Sequence, residues 1–335
     1  MPDSFTMADE EIVLVTQLPS DSWFEGFVLR PNGNILATRL DKPELYTFDA
    51  EDPDATPHLL HHLELCNGLI NIIELPGRPD EYHILSGNID LEKGTCKDCL
   101  LWHAVLSQDD SSPPKLTQIA EVKDAGFAMG IVAVTDRVML IADSGKGCVW
   151  HLDTETGKMS QFVADDTMMP PTEADFFGLN RIRVVGDYLW FTNTSAGTLY
   201  RIPVEMDTAQ PEVAIRATGP VQKVLGDLPH LDGLALTKDQ TRAYTVSMAD
   251  GQLLEIKVDP ATGQGSVEVI TTSLDSPTGV ELVYVNGRPK LYVVCCGEID
   301  MAWIPKIDEN PWASMDFNSN VVGTVTSEVV TVTQM

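Results

Sequence analysis

Between positions 176 and 202 the chain reads FFGLNRIRVVGDYLWFTNTSAGTLYRI. Three short runs, RIRVV, YLWFTN and TLYRI, are rich in β-branched and aromatic residues and are separated by VGD and SAG, which favour turns. The pattern predicts a three-stranded meander. The same grammar of apolar run, turn, run, turn, run recurs in EGFVLRPNGNILATRLDKPELYTF from Glu25, in MGIVAVTDRVMLIADSGKGCVWHL from Met129 and in DGLALTKDQTRAYTVSMADGQLLEIKV from Asp232. Two looser copies begin at Asn67 (NGLINIIELPGRPDEYHILSGNI, followed by an insertion before CLLWHAVL) and at Thr278 (TGVELVYVNGRPKLYVVCCGEIDMAWI).

Glycines at 26, 68, 130, 233 and 279 mark five starts, and Arg181 stands at the matching place of the remaining unit. Spacings of roughly 40 to 60 residues, with about four strands per unit, are those of propeller blades. Six units predict an all-β, six-bladed β-propeller spanning 1–335 as one domain. Its four-stranded antiparallel blades surround a central channel and start near 25, 67, 129, 180, 232 and 278. Helical i, i+3, i+4 patterns are nearly absent, which argues against a parallel α/β fold. The first run of each unit is the most apolar and is therefore expected innermost. EIVLVTQL near the start or VVGTVTSEVVTVTQ near the end is expected to close the ring.

If the innermost strands all start at one mouth of the channel, Glu25, Asn67, Met129, Asn180, Asp232 and Thr278 converge there from six blades. A polar residue opening an apolar strand has two readings. It accepts local backbone hydrogen bonds, as Asn and Asp do at strand ends, or it faces a ligand shared by the ring.

Charge narrows the choice of ligand. Asp and Glu number 50 against 22 Lys and Arg, a net charge of -28, so phosphate backbones and anionic lipid surfaces are repelled. Neither nucleic acid nor membrane is expected as a partner, and no window approaches the roughly 20 apolar residues of a membrane helix. The opening MPDSFTMADEEIVLVTQLP is acidic where a secretory leader is basic, which points to a cytoplasmic protein. Six cysteines occur, and Cys96-x-x-Cys99 lacks the second ligand pair that structural zinc requires. The histidine-rich HLLHHLEL from His58 reads as a surface strand. No G-x-S-x-G elbow, Walker loop or G-x-G-x-x-G fingerprint is present.

From WFEGFVLRPNGNILAT through GLNRIRVVGDYLWFTNTSAGTLYRIP to SPTGVELVYVNGRPKLYVV, the chain resembles the SMP-30/gluconolactonase-like family, in particular a fungal branch that includes natural-product hetero-Diels-Alderases. For the family's metal-dependent lactonases, the resemblance implies a divalent cation held by Glu25 of FEGF, Asn180 of GLNR and Asp232 of LDGL. Such a set of oxygens suits Ca²⁺ or Mg²⁺. Two departures stand out: Arg181 replaces a glycine, and Met129 stands where the fungal branch has an asparagine. Together with Trp23, Asn67, Phe127, Phe176 and Met168 of the MMPP loop, Met129 is expected to line an apolar substrate pocket.

The resemblance therefore implies a cofactor-independent enzyme of secondary metabolism that steers cyclisation of a hydrophobic reactive intermediate. His230, Thr278, Arg181 and Asn180 are its candidate polar groups. The alternatives are a Ca²⁺- or Mg²⁺-dependent lactonase and a non-catalytic binding module. Oligomeric state is not legible.

Overall fold

The computed structural model describes residues 10–334 apart from 21, 53–55, 92–93, 109, 111, 173–174, 176, 208, 286–287 and 298–325. After β1 (Glu10–Ser20), blade 1 holds β2 (Phe24–Leu29), β3 (Asn34–Arg39), β4 (Glu44–Asp49) and β5 (His58–His62). Blade 2 holds β6 (Gly68–Leu75), β7 (Arg78–Asp90), β8 (Thr95–Val105) and β9 (Lys115–Glu121). Blade 3 holds β10 (Ala128–Ala133), β11 (Val138–Asp143), β12 (Cys148–Asp153) and β13 (Lys158–Ala164). Blade 4 holds β14 (Leu179–Val185), β15 (Tyr188–Asn193), β16 (Thr198–Asp207), β17 (Ala214–Ala217) and β18 (Gln222–Leu225). Blade 5 holds β19 (Leu231–Leu236), β20 (Arg242–Ser247), β21 (Gln252–Val258) and β22 (Gly265–Thr271). Blade 6 holds β23 (Pro277–Val285), β24 (Arg288–Cys295) and β25 (Thr326–Gln334), with β1 as its outermost strand.

These six antiparallel sheets make a six-bladed β-propeller. The first strand of each blade touches the first strand of the next, from β2 through β6, β10, β14, β19 and β23 back to β2. Both termini close the ring, because β25 pairs with β24 and β1 pairs with β25. Blade 4 departs from the simple pattern: β17 pairs with the second half of β16 and β18 with its first half. The apolar cores lie between neighbouring sheets. One of them packs Val28, Leu36 and Leu45 of blade 1 against Leu69, Tyr82 and Trp102 of blade 2. Burying each such large side chain contributes roughly 1.5–3 kcal/mol. The histidine-rich His58–His62 segment is the outer strand of blade 1, with mixed exposure.

A common irregularity positions the functional residues. Each innermost strand slips register against its partner shortly after it begins, between Phe24 and Phe27, Leu69 and Asn71, Ala128 and Ile131, Leu179 and Ile182, Leu231 and Leu234, and Pro277 and Gly279. The bulged residues lose ladder partners and are re-aimed. In blades 1 and 4 a threonine hydroxyl of the neighbouring strand takes up a freed backbone group: Gly26 N–H donates to Thr38 Oγ1 at 3.1 Å and Arg181 N–H to Thr192 Oγ1 at 3.1 Å. Glycine follows the channel-facing residue where an adjacent backbone passes too closely for a side chain. A Cβ on Gly130 would lie 2.4 Å from the Asn180 carbonyl oxygen, and one on Gly233 would lie 2.8 Å from the Gly279 Cα.

Candidate functional site at the channel mouth

The bulges bring Glu25, Ile70, Met129, Asn180, Asp232 and Thr278 to equivalent places, one per blade. The structure corrects one of the six expected positions. In blade 2 the bulge falls at Ile70–Asn71, and the expected Asn67 is exposed at the strand's edge. There Asn67 bonds locally to Ile89: Oδ1 accepts from its N–H at 2.7 Å and Nδ2 donates to its carbonyl at 2.8 Å. Gly68 is a glycine for a separate reason, since a Cβ there would lie 2.1 Å from the Leu40 carbonyl oxygen.

At the centre of the ring lies Arg181. Its side chain crosses from blade 4 to the opposite blade 1, where Nη2 donates to Glu25 Oε1 at 2.8 Å and to the Glu25 carbonyl at 2.9 Å. Its Nε lies 3.9 Å from Asp232 Oδ1. Glu25 Oε2 accepts from Trp23 Nε1 at 2.9 Å. Asn180 Nδ2 donates to Asp232 Oδ1 at 3.1 Å and to Thr194 Oγ1 at 3.0 Å, while its Oδ1 is buried with no hydrogen-bond partner. Trp23, Glu25, Asn180, Arg181 and Asp232 are all buried. Burial raises the Glu25 carboxyl above its ordinary value against the pull of Arg181 and Trp23. Burial and then the charge of Glu25 push Asp232 well above its own, with Arg181 and Asn180 opposing.

Just further along the channel, Arg183 of blade 4 pairs with Glu281 of blade 6, and burial raises Glu281 despite the nearby arginines. Asn71 clips blade 2 to blade 3 by donating to the Met129 carbonyl at 3.2 Å. Sequence reasoning missed Asn71, Arg183 and Glu281. Their signal was a polar residue inside the apolar strand rather than at its start. With these side chains in place, the channel cavity lined by Glu25, Asn71, Arg181, Arg183 and Glu281 measures about 10 Å³, on the order of the room for a single water.

Where the innermost strands begin, this polar floor adjoins an apolar cluster that continues into the core between blades 2 and 3. Trp23, Ile70, Phe127, Met129 and Cys296 belong to one buried cluster, with Ile89, Leu91, Phe177 and Met248 partly buried against it. Every blade contributes. Phe127 and Phe177 pack with ring centroids 5.5 Å apart and planes tilted by 32°. The loop carrying Phe127 is pinned by the buried Asp143, whose Oδ1 accepts from Phe127 N–H at 2.9 Å and whose Oδ2 accepts from Trp150 Nε1 at 2.9 Å. Trp23 is fixed through its N–H to Asp41 Oδ1 at 2.9 Å.

Other expected site residues either hold their ring position with the side chain engaged in the scaffold or fall elsewhere. Thr278 is fully buried and its hydroxyl donates to the Phe24 carbonyl at 2.8 Å, tying blade 6 to blade 1. His230 is exposed in the loop before β19. Met168 is fully buried in the core between blades 3 and 4, away from the mouth cluster. Its loop is held by Asn193 Nδ2, which donates to the carbonyls of Thr167 and Met169. Phe176 lies outside the described residues. Cys96 and Cys99 are buried side by side, their sulfurs 2.8 Å apart.

For a divalent cation the fit is poor. Both Glu25 oxygens are engaged, a guanidinium lies among the oxygens that would have to bind, and Asp232 Oδ1 already accepts from Asn180. Among the described residues, no group of three or more His, Cys, Asp or Glu is arranged to hold a metal ion. As arranged, Glu25, Asn180 and Asp232 are not a donor set for Ca²⁺ or Mg²⁺.

No protein-family model matches the chain. Over 216 residues, 57% of its length, it is 24% identical to a protein of Sarocladium schorii named hetero-Diels-Alderase, covering 53% of that protein. It is 22% identical over 228 residues to a second protein so named, from a Phoma species, covering 61% of this chain and 64% of that one. The chain thus spans between half and two thirds of the curated relatives it matches. Among solved structures, it superposes on a luciferin-regenerating enzyme with a TM-score of 0.62 at 13% identity, covering 98% of this chain and 96% of that one. It matches the calcium-binding protein regucalcin of Agrobacterium tumefaciens with a TM-score of 0.60 at 16% identity, covering 96% and 94%. These neighbours share the propeller fold.

Proposed function

We propose that this chain is a cofactor-independent cyclase that steers a hetero-Diels-Alder type cycloaddition of a hydrophobic, reactive natural-product intermediate at the channel mouth. The observation that carries the reading is the apolar cluster, drawn from all six blades, lying over a buried polar floor that keeps one hydrogen-bond acceptor unused, Asn180 Oδ1. The names of the two curated relatives support the same chemistry.

A channel cavity of about 10 Å³ admits no such substrate. The intermediate therefore seats on the mouth, against the partly buried Phe177, Met248, Ile89 and Leu91. In the cycloaddition two σ bonds form as π bonds are consumed; no atom leaves and no electron is exchanged with a cofactor. Holding the two partners in a near-attack geometry supplies up to roughly 7–11 kcal/mol of the barrier in well-oriented cases. Asn180 Oδ1 is buried, so a hydroxyl of the intermediate reaches it only where the side chains above it move aside; donating to that oxygen would then fix its orientation.

The test is to generate an ortho-quinone methide from a masked precursor in the presence of a polyene, with and without the purified protein. A faster reaction giving one stereoisomer in excess is expected. An unchanged rate with a racemic product overturns the reading. The metal-dependent lactonase is not favoured, because Arg181 lies where its cation would bind.

A further inference from the structure

We propose that Arg181 is a built-in cation: its guanidinium takes the place between Glu25 and Asp232 that a divalent ion would need, so that the channel site works without metal and Arg181 alone shuts metal out. The inference holds whether or not the cyclase reading does.

Four of the six bulges carry glycine after the channel-facing residue: Gly26, Gly130, Gly233 and Gly279. Blade 2 carries Asn71, whose amide is consumed locally, Oδ1 by the Ile72 N–H at 2.9 Å and Nδ2 by the Met129 carbonyl. Blade 4 alone places a charge there. The backbone at 181 is held as at Gly26 of blade 1, by a threonine hydroxyl of the next strand, so the arginine is an added side chain on a shared scaffold. It is buried, spans the channel and bonds to Glu25 at two oxygens.

A cation binding both carboxylates would have to approach within about 2.3–2.6 Å of their oxygens. It would then sit beside the positive charge of a guanidinium. Like charges at that separation, away from bulk water, repel strongly. The donor atoms themselves are not missing. Asn180 Oδ1, buried and unpartnered, lies beside Asp232, joined to it through its own Nδ2. What removing the guanidinium would leave is two buried carboxylates on separate blades, with an unpartnered amide oxygen on the side chain that bonds to one of them.

Manganese(II) serves as the probe, because its electron paramagnetic resonance signal distinguishes free from bound ion. The wild-type full chain is expected to leave Mn²⁺ free, and its Tm is expected to be the same in EDTA and in millimolar CaCl₂. Arg181→Gly should bind one Mn²⁺ per chain and gain about 3 °C or more in Tm at saturating Ca²⁺. Adding Asp232→Asn to that variant should abolish both effects. Arg181→Lys, which keeps the charge, should behave as the wild type. Stoichiometric Mn²⁺ binding by the wild-type chain overturns the proposal, and that measurement needs no variant to fold. A folded Arg181→Gly protein that still ignores both ions overturns the claim that the arginine is what excludes them.

Discussion

Two buried arginines, Arg30 and Arg181, each face two carboxylates, and they are finished differently. Arg30 lies at the seam of blades 1 and 2, where its Nε and Nη2 donate to Asp80 Oδ1 at 3.1 and 2.9 Å, Nη1 to Asp110 Oδ1 at 2.6 Å and Nη2 to the Ser107 carbonyl at 2.8 Å. Its partners are neighbours in the ring and every branch of its fork is used. Arg181 reaches across the channel, bonds closely to Glu25 only, stands 3.9 Å from Asp232 and leaves the adjacent Asn180 Oδ1 unpartnered. A saturated network fixes blades to one another. An incomplete one, buried at the focus of six strands, leaves bonding capacity unused, and buried polar groups left unpaired are costly.

The largest expected effect breaks the saturated member. Arg30→Ala leaves Asp80 and part of Asp110 buried without their cation, which should cost about 3–5 kcal/mol of stability. Equilibrium denaturation in urea reads this directly. Stereoselectivity per folded molecule should be unchanged, because Arg30 lies at a blade seam and not among the residues of the mouth. A loss below about 1 kcal/mol would show that the seam is held by its apolar core instead.

The seam was less legible in the sequence than the blades were. Alternation of apolar runs and turns located all six innermost strands because each sheet repeats one burial pattern. The bulges were not visible, since a register slip of one or two residues changes pairing without changing composition. Blade 2 shows the consequence. Gly68 looks like Gly26 and Gly130, yet it answers to the Leu40 carbonyl, and the channel-facing place belongs to Ile70. Met168 and Thr278 failed in a related way. Each has a side chain suited to a pocket, but one fills an interblade core and the other ties two backbones. Trp23, Glu25, Asn180, Arg181 and Asp232 could be singled out because they stand at or beside the starts of strands. That Arg181 binds Glu25 from the opposite blade required the ring to be closed in three dimensions.

An intermediate effect comes from the same strand as Asp80 but its other face, as strand alternation requires. His83 is buried, its Nδ1 has no partner, and burial, with His103 and Arg78 adding positive charge, lowers its pKa to about 4. In the unfolded chain it titrates near the ordinary 6.5. Between those values the unfolded state binds more protons, so stability falls as pH falls from about 6.5 towards 4, by roughly 2 kcal/mol at pH 5. Thermal unfolding across this range should show the decline in the wild type and a flatter profile in His83→Leu. Identical slopes would place the titrating group elsewhere. The result would sharpen the contrast between the regions, assigning acid sensitivity to blade 2 rather than to the channel.

The smallest stability change should accompany the most informative functional one. In Asn180→Ala the amide's two donated bonds, to Asp232 and Thr194, are lost, but so is an acceptor that had no partner, and these contributions oppose one another. A net cost of about 1 kcal/mol is expected. If Asn180 Oδ1 orients the intermediate, the accelerated cycloaddition should slow about tenfold, the kinetic equivalent of one ordinary hydrogen bond, and stereoselectivity should fall with it. Asn180→Asp separates the roles: it keeps an oxygen at the same reach but adds a negative charge beside Asp232, so it should destabilise more than alanine does. A rate and product ratio unmoved in Asn180→Ala, with the protein folded, would return the unpartnered oxygen to the ordinary imperfections of a crowded channel and leave the apolar mouth as the whole of the catalytic surface.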